Sequence, residues 1–281
     1  MPETTQSGRV PPGKSNPGKI NTRWNDEDVL PPVLSRDTEF VFQRMTDETL
    51  KAVESKNGHR VLDVGCGRAI DAASMAQKGG NLFGCEPSQV MLRKAQEWLE
   101  QKETSVNLVS SIAEEMPFVD AAFHRVVCKG AIDHFMNPEK AVAEMCRVAS
   151  PGGKVVLSVA NFESLSCTLG KFLNGLHQKY HGRDISGPHI WEIPEDHTYK
   201  FDYVSTLALA KRHLQGVAVQ GISLLWGFPR WSNFLKRIPL PAARVLLKVL
   251  DKIASWHPAW GDVLILTGRP VHQQLSPSER K

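Results

Sequence analysis

From about residue 59 to 161, short apolar runs alternate with stretches of helical period. Val61-Leu62-Asp63-Val64 is apolar except for one acid and ends on Gly65-Cys66-Gly67. It reads as a buried parallel strand that turns sharply at glycine. Strands are expected near 59–65, 82–86, 106–111, 123–129, 154–160, 217–225 and 261–267. Helices are expected near 69–78, 88–102, 138–149 and 203–215, with Ser88 as an N-cap and Pro138 in a first turn. Ser150-Pro151-Gly152-Gly153 cannot continue a helix. Ahead of the first strand, Phe40, Val41, Met45, Leu50 and Val53 recur at roughly helical spacing, predicting a packed helix over about 35–56. Such alternation implies an α/β fold whose mostly parallel sheet is covered on both faces.

The flanks of this rhythm differ from it. Residues 1–30 are rich in Pro, Gly and polar side chains and are expected to be a disordered or loosely docked tail, and 271–281 a flexible one. A single domain over 31–270 then carries two additions. A cap of about 162–215 holds His177, His181, His189, Trp191, His197 and Tyr199. A basic, aromatic insertion of about 228–258 precedes the last strand.

Composition narrows the class. With 281 residues and 41% hydrophobic side chains, the chain can bury one large core. The five cysteines show no C-x-x-C spacing, and two lie inside apolar runs, which suggests buried, reduced thiols. Met-Pro-Glu-Thr-Thr-Gln lacks the regions of a signal peptide, and no run approaches the length of a spanning helix, so a cytoplasmic location is expected. Net charge is +4, but residues 228–258 hold six Lys/Arg against one Asp, leaving −1 for the remainder. That local excess argues against nucleic acid as a partner.

Candidate chemistry centres on the glycine turn. Glu86 ends the second apolar run nineteen residues past Gly67. A glycine turn after one strand and a carboxylate after the next can hold a nucleoside ribose. It is not the dinucleotide fingerprint: Ile70 replaces the third glycine, and Asp63 would repel a pyrophosphate. A cationic aminoacyl group would suit Asp63 better. Gly8 to Ser15 matches the P-loop pattern, but no strand precedes it and Asn16-Pro17-Gly18 forbids the helix that should follow.

Four blocks in order carry a resemblance: Val61 to Gly67, Gly84-Cys85-Glu86-Pro87-Ser88, Ala113-Glu114-Glu115-Met116-Pro117-Phe118, and Glu144 to Gly153. With them the chain resembles the class I S-adenosylmethionine-dependent methyltransferases, type 11 group, over about 59–161, with a weaker echo over 217–269. The resemblance implies a Rossmann-like, doubly wound sheet of seven strands, S-adenosylmethionine as cofactor and a small-molecule acceptor. It implies that Gly65, Cys66 and Gly67 pass under the methionine part, Asp63 orients that loop and the amino group, and Glu86 accepts both ribose hydroxyls. Ile112 and Ala113 would flank the adenine, and Cys128 and Lys129 would offer backbone to the aminoacyl end. Two positions depart from the family pattern: Ile112 stands where many relatives have an Asp, and His124 where an Asp is usual.

Transfer to a hydroxyl or acidic carbon benefits from a base. In Ile132-Asp133-His134-Phe135, His134 is the candidate and Asp133 its orienting partner; a capping role for His134 remains equally open. His189 or His197 of the cap could also serve. No metal is expected, since His177 and His181 have no carboxylate at ligand spacing. Arg244, Lys248, Asp251, Lys252 and Ser255 share a helical face, with Trp226, Trp231, Phe234, Trp256 and Trp260 nearby, so 228–258 is a candidate for peripheral membrane contact and a lipid- or quinone-like acceptor. Two rivals stay open: a cofactor-binding protein of the same fold without catalysis, and an NAD-dependent oxidoreductase.

Overall fold

The computed structural model describes residues 21–28, 33–185, 189–192, 194 and 197–271. The expected P-loop mimic and the C-terminal tail from 272 lie outside them. The strands are β1 (Arg60–Val64), β2 (Asn81–Cys85), β3 (Asn107–Val109), β4 (Phe123–Lys129), β5 (Ala149–Ala160), β6 (Leu214–Ile222) and β7 (Val263–Pro270). They form one seven-stranded sheet in the order β3-β2-β1-β4-β5-β7-β6. The first five run parallel, and β7 is antiparallel to both β5 and β6. Strand order reverses between β1 and β4. Ligands of open α/β sheets enter the crevice beyond the carboxyl ends at such a point.

The helices are α1 (Arg36–Val53), α2 (Ile70–Ala76), α3 (Gln89–Gln101), α4 (Pro138–Val148), α5 (Leu165–His181), α6 (Tyr203–His213), α7 (Trp231–Arg237) and α8 (Leu240–Ala254). Ser88 caps α3 by accepting the Met91 N–H, and Asn137 caps α4 with Pro138 following it. One apolar layer sets Leu62, Val126 and Leu157 against Met145 and Leu209. On the other face Val61, Val127 and Ile265 meet Val41 and Met45 of α1. Among the described residues no helix is long and apolar enough to cross a membrane.

Three expectations need correction. Residues 21–28, expected within a disordered or loosely docked tail, are tied to the glycine loop and α3 by ion pairs, as described below. β5 starts at Ala149, not 154, because Ser150 to Gly153 folds as a bulge in the strand. Pairing jumps from Phe123–Ala149 to Arg125–Lys154, and Gly152 takes φ +75°. The cap is shorter than 162–215: α6 packs beside α4 and β6 as part of the helical layer. The basic insertion packs one face on the domain and solvates the other. α8 buries Ala243, Leu247 and Ala254, and Leu235 of α7 joins them against Phe40 of α1, while Val245 and Val249 stay exposed.

A polar knot fixes the cap to the sheet. Asp262 is fully buried at the start of β7. Its carboxylate accepts from the Ser164 hydroxyl ahead of α5 and from the Trp226 N–H after β6, both at 2.9 Å. Its carbonyl accepts from the Asn161 N–H at 2.8 Å. Asp262→Ala leaves two buried donors without an acceptor and should lower unfolding free energy by about 3 kcal/mol in urea melts. Asp262→Asn, which keeps one acceptor oxygen, should lose less; equal midpoints for all three proteins would contradict this account.

Candidate active site

β1 delivers the chain into a loop that only small residues fit. Gly65 and Gly67 take φ +70° and +51°. A Cβ on Gly65 would lie 2.6 Å from the Ala131 Cβ. The Cys85 carbonyl at the end of β2 accepts from both the Gly65 and Cys66 N–H groups, at 2.8 and 3.1 Å. One residue on, Glu86 turns back over the loop. Its Oε2 accepts from the Gly67 N–H at 3.2 Å and its Oε1 from the Ser88 N–H at 2.9 Å. Burial pushes the Glu86 carboxyl up, and these two N–H donors pull against it.

Asp63 is at least as buried but less well compensated. Burial, then the neighbouring Asp71 and Glu86 carboxylates, raise it to about 8, against the opposing charge of Lys129. That lysine is engaged elsewhere: its Nζ lies 2.5 Å from Asp71 and 2.7 Å from the Thr46 hydroxyl.

A cavity of about 830 Å³ opens over this loop. Asp63, Gly65, Cys66, Gly67, Glu86, Ile112, Ala113, Lys129 and His134 all line it, as the sequence led us to expect. Cys128 does not: it is fully buried in the core beneath the strand end, and Gly130 and Ala131 line the cavity in its place. Asp133 is buried just behind the wall.

Several lining groups carried no signal in the sequence, Trp24 foremost. The 21–28 segment is strapped across the mouth by Arg68, at 2.6 Å from Asp26 and 2.8 Å from Glu27, and by Lys94, at 3.3 and 2.8 Å from the same pair. Ser88 Oγ donates to the Trp24 carbonyl at 2.6 Å. The Trp24 ring then sits 5.9 Å from that of His134. A lone tryptophan before Asn25-Asp26-Glu27-Asp28 is the only trace such a strap leaves.

Beside the expected Asp133 and His134, the structure brings in His197. Asp133 Oδ2 lies 3.1 Å from His197 Nδ1. The Asp133 carbonyl accepts from the Thr198 and Tyr199 N–H groups at 2.8 and 3.0 Å, which draws the cap loop onto this turn. Tyr199 Oη donates to the Met136 carbonyl at 2.9 Å. His134 and His197 meet edge to face with centroids 4.5 Å apart. One side-chain ligand atom from each of Asp133, His134 and His197 falls within 4.8 Å of the others, a donor set also suited to a cation. His189 stacks on Trp191 instead, and His177 faces His181 on α5; none of these three lines the cavity.

Comparison with known proteins bears on the central part of the chain. Residues 62–157 match the family described as a methyltransferase domain. The ubiquinone biosynthesis O-methyltransferase of Pseudomonas fluorescens is 36% identical over 110 residues, covering 37% of this chain and 45% of that protein. Methyltransferase GfsG of Streptomyces halstedii is 28% identical over 138 residues, 48% of each chain. Residues 62–157, about a third of the chain, therefore carry a segment similar to the methyltransferase-domain family. The chain spans a little under half the length of these relatives. In fold, the chain is similar to PH0226 of Pyrococcus horikoshii, at TM-score 0.56 and 19% identity over 88% of this chain and 100% of that one. It is also similar to the [4+2]-cyclase SpnF, at TM-score 0.55 and 18% identity over 91% and 89%.

The raised Asp63 makes a prediction that needs no ligand. An acid whose folded pKa, about 8, exceeds its ordinary 3.8 holds its proton in the fold and yields it on unfolding. Wild-type stability should therefore fall as pH rises from about 4 to about 8 through this group. Asp63→Asn should melt higher than wild type at pH 7 and show a shallower decline over that window. A lower melting point at pH 7, with no change in slope, would refute the assignment.

Proposed function

We propose that this protein transfers a methyl group from S-adenosylmethionine to an oxygen of a small, partly apolar acceptor. The supporting observation is a single cavity that joins the Glu86–Gly67 corner to the Asp133–His197 pair. Bound S-adenosylmethionine supplies an electrophilic methyl on a sulfonium. The residues present suit it. Glu86 keeps acceptor capacity on both oxygens for a ribose diol after taking its two backbone N–H groups. Asp63 lacks a full counter-charge, which a cofactor ammonium would provide. Gly65, Cys66 and Gly67 bring bare backbone under the methionine part, and Ile112 and Ala113 offer apolar flanks to the adenine. Lys129, Gly130 and Ala131 replace Cys128 as the backbone at the aminoacyl end.

At the acceptor end, His197 takes the hydroxyl proton and Asp133 holds the ring through Nδ1. His134 and Trp24 wall the site against water, which matters because alignment and exclusion of solvent supply much of such a reaction's acceleration. An apolar acceptor is supported by Phe135, Met136 and Trp24 in the lining, and by the relative named for ubiquinone biosynthesis. Peripheral lipid contact through 228–258 belongs to the same reading, supported by the exposed Val245, Val249 and Trp256 among its cations. The fold alone does not require methyl transfer, since SpnF is called a [4+2]-cyclase.

Two measurements test the proposal. Glu86→Ala should weaken S-adenosylmethionine binding by about 1–3 kcal/mol in calorimetry, the cost of lost charged hydrogen bonds. Unchanged affinity, or stabilisation of the wild type by NAD alone, would overturn the cofactor seat. His197→Ala should lower kcat by about 10²–10⁴-fold, remove the acid limb of the pH–rate profile and leave cofactor affinity intact. A second reading rests on Asp133 Oδ1, which takes no hydrogen bond from a described residue: Asp133, His134 and His197 would hold a divalent cation against the acceptor. Activity that survives exhaustive dialysis against EDTA supports the base; activity lost and restored by added zinc supports the cation.

A further inference from the structure

α5 is amphipathic in the inverse sense to an ordinary surface helix. Its inward face is small: Ser166, Cys167 and Gly170 are buried, and a Cβ on Gly170 would lie 2.3 Å from the Trp191 ring. Its outward face is large and apolar. Leu165, Leu169, Phe172, Leu173, Leu176 and Tyr180 recur at i, i+4, i+7, i+8, i+11 and i+15, each at least 37% exposed, with Phe172 at 62% and Tyr180 at 77%. That stripe lies on one side of the helix. Scattered exposed apolar residues need no explanation, but six in one stripe do. No described residue covers it.

The charge around the stripe selects the occupant. α5 contains Lys171, Lys179, His177 and His181 and no acid, and the exposed Arg183 follows it. Leu173 shares a shallow groove with Phe228 and Arg230, where the basic insertion begins. The other end of α5's surroundings is Pro258–Trp260, where the insertion ends. The insertion exposes Lys236, Arg237, Arg244, Lys248 and Lys252. Its one acid, Asp251, is turned inward, 2.9 Å from Arg44 Nε and accepting from the Ser223 N–H. A greasy stripe edged by a net excess of cations, with Lys171 paired to Glu163 at 2.6 Å, matches an anionic lipid surface, which takes apolar side chains at the headgroup boundary and attracts Lys and Arg.

We propose that α5 is the element that enters an anionic bilayer surface, with α7 and α8 supplying flanking positive charge. This extends the lipid contact proposed for 228–258 and stands apart from the methyl-transfer reading. The full chain should co-sediment with vesicles of phosphatidylcholine containing phosphatidylglycerol, and far less with phosphatidylcholine alone, with binding weakened by salt. Phe172→Glu with Leu173→Glu, both exposed, should lower the partition coefficient about tenfold or more while melting temperature and S-adenosylmethionine affinity hold. Lys248→Glu with Lys252→Glu should abolish the preference for anionic lipid but leave residual binding. Binding lost with the lysine pair and untouched by the α5 pair would confine lipid contact to 228–258 and overturn the α5 proposal. So would failure to bind vesicles, or a lipid-free dimer that Phe172→Glu dissociates, since the occupant would then be a second copy.

Discussion

Two carboxylates, Asp63 and Glu86, are buried side by side at the carboxyl end of a parallel sheet, and most of the site follows from how each is neutralised. Taking an anion out of water is costly unless hydrogen bonds or charge replace its hydration. Glu86 is met by backbone: the Gly67 N–H of the loop and the Ser88 N–H at the head of α3. That demand fixes the loop's path, and Gly84 is needed because a Cβ there would lie 2.7 Å from Cys66 Sγ. Asp63 has no such donors, and the lysine nearest to it is shared with Asp71 and Thr46. Without a ligand, Asp63 is thus neutralised by keeping its proton, its carboxyl being raised to about 8. A cationic ligand group beside it would favour the ionised form instead.

How much of this was legible depended on whether the signal was local. β1, β2, β4 and the capped α3 and α4 were readable because strand burial, glycine turns and cap residues act within a few positions. The Glu86 corner was readable for the same reason, since the strand ends fix its distance from the glycine loop. β5 began early because the Pro-Gly-Gly stretch that ends a helix also makes a bulge. Cys128 was misplaced by one residue's alternation: in a strand successive side chains face opposite ways, so Lys129 reaches the cavity and Cys128 the core. The Asp133–His197 pairing was hidden because sixty-four residues separate the partners. It is made by the Asp133 carbonyl catching the Thr198 and Tyr199 N–H groups, a tertiary contact with no periodic trace. Trp24 was missed for a related reason: only the distant Arg68 and Lys94 make a strap of a polar, aperiodic segment.

The division between readable and hidden parts also divides the chemistry. Residues that match the family end at 157, before the cap begins. They include the glycine loop, Glu86, Ile112, Ala113 and Asp133, but not His197, α5 or the basic insertion. A shared cofactor end with a private acceptor end is how one fold serves many reactions, and the structural likeness to a cyclase fits that view. The Asp262 knot joins the two halves physically. It ties the start of α5 and the end of β6 to the last strand, next to β5 whose carboxyl end faces the site. A change at the acceptor end is therefore held rigidly against the sheet that positions the cofactor end. α5 begins next to Ser164, which donates to Asp262, and the loop carrying His197 follows α5 in the chain, so helix and loop share one buried anchor on the sheet.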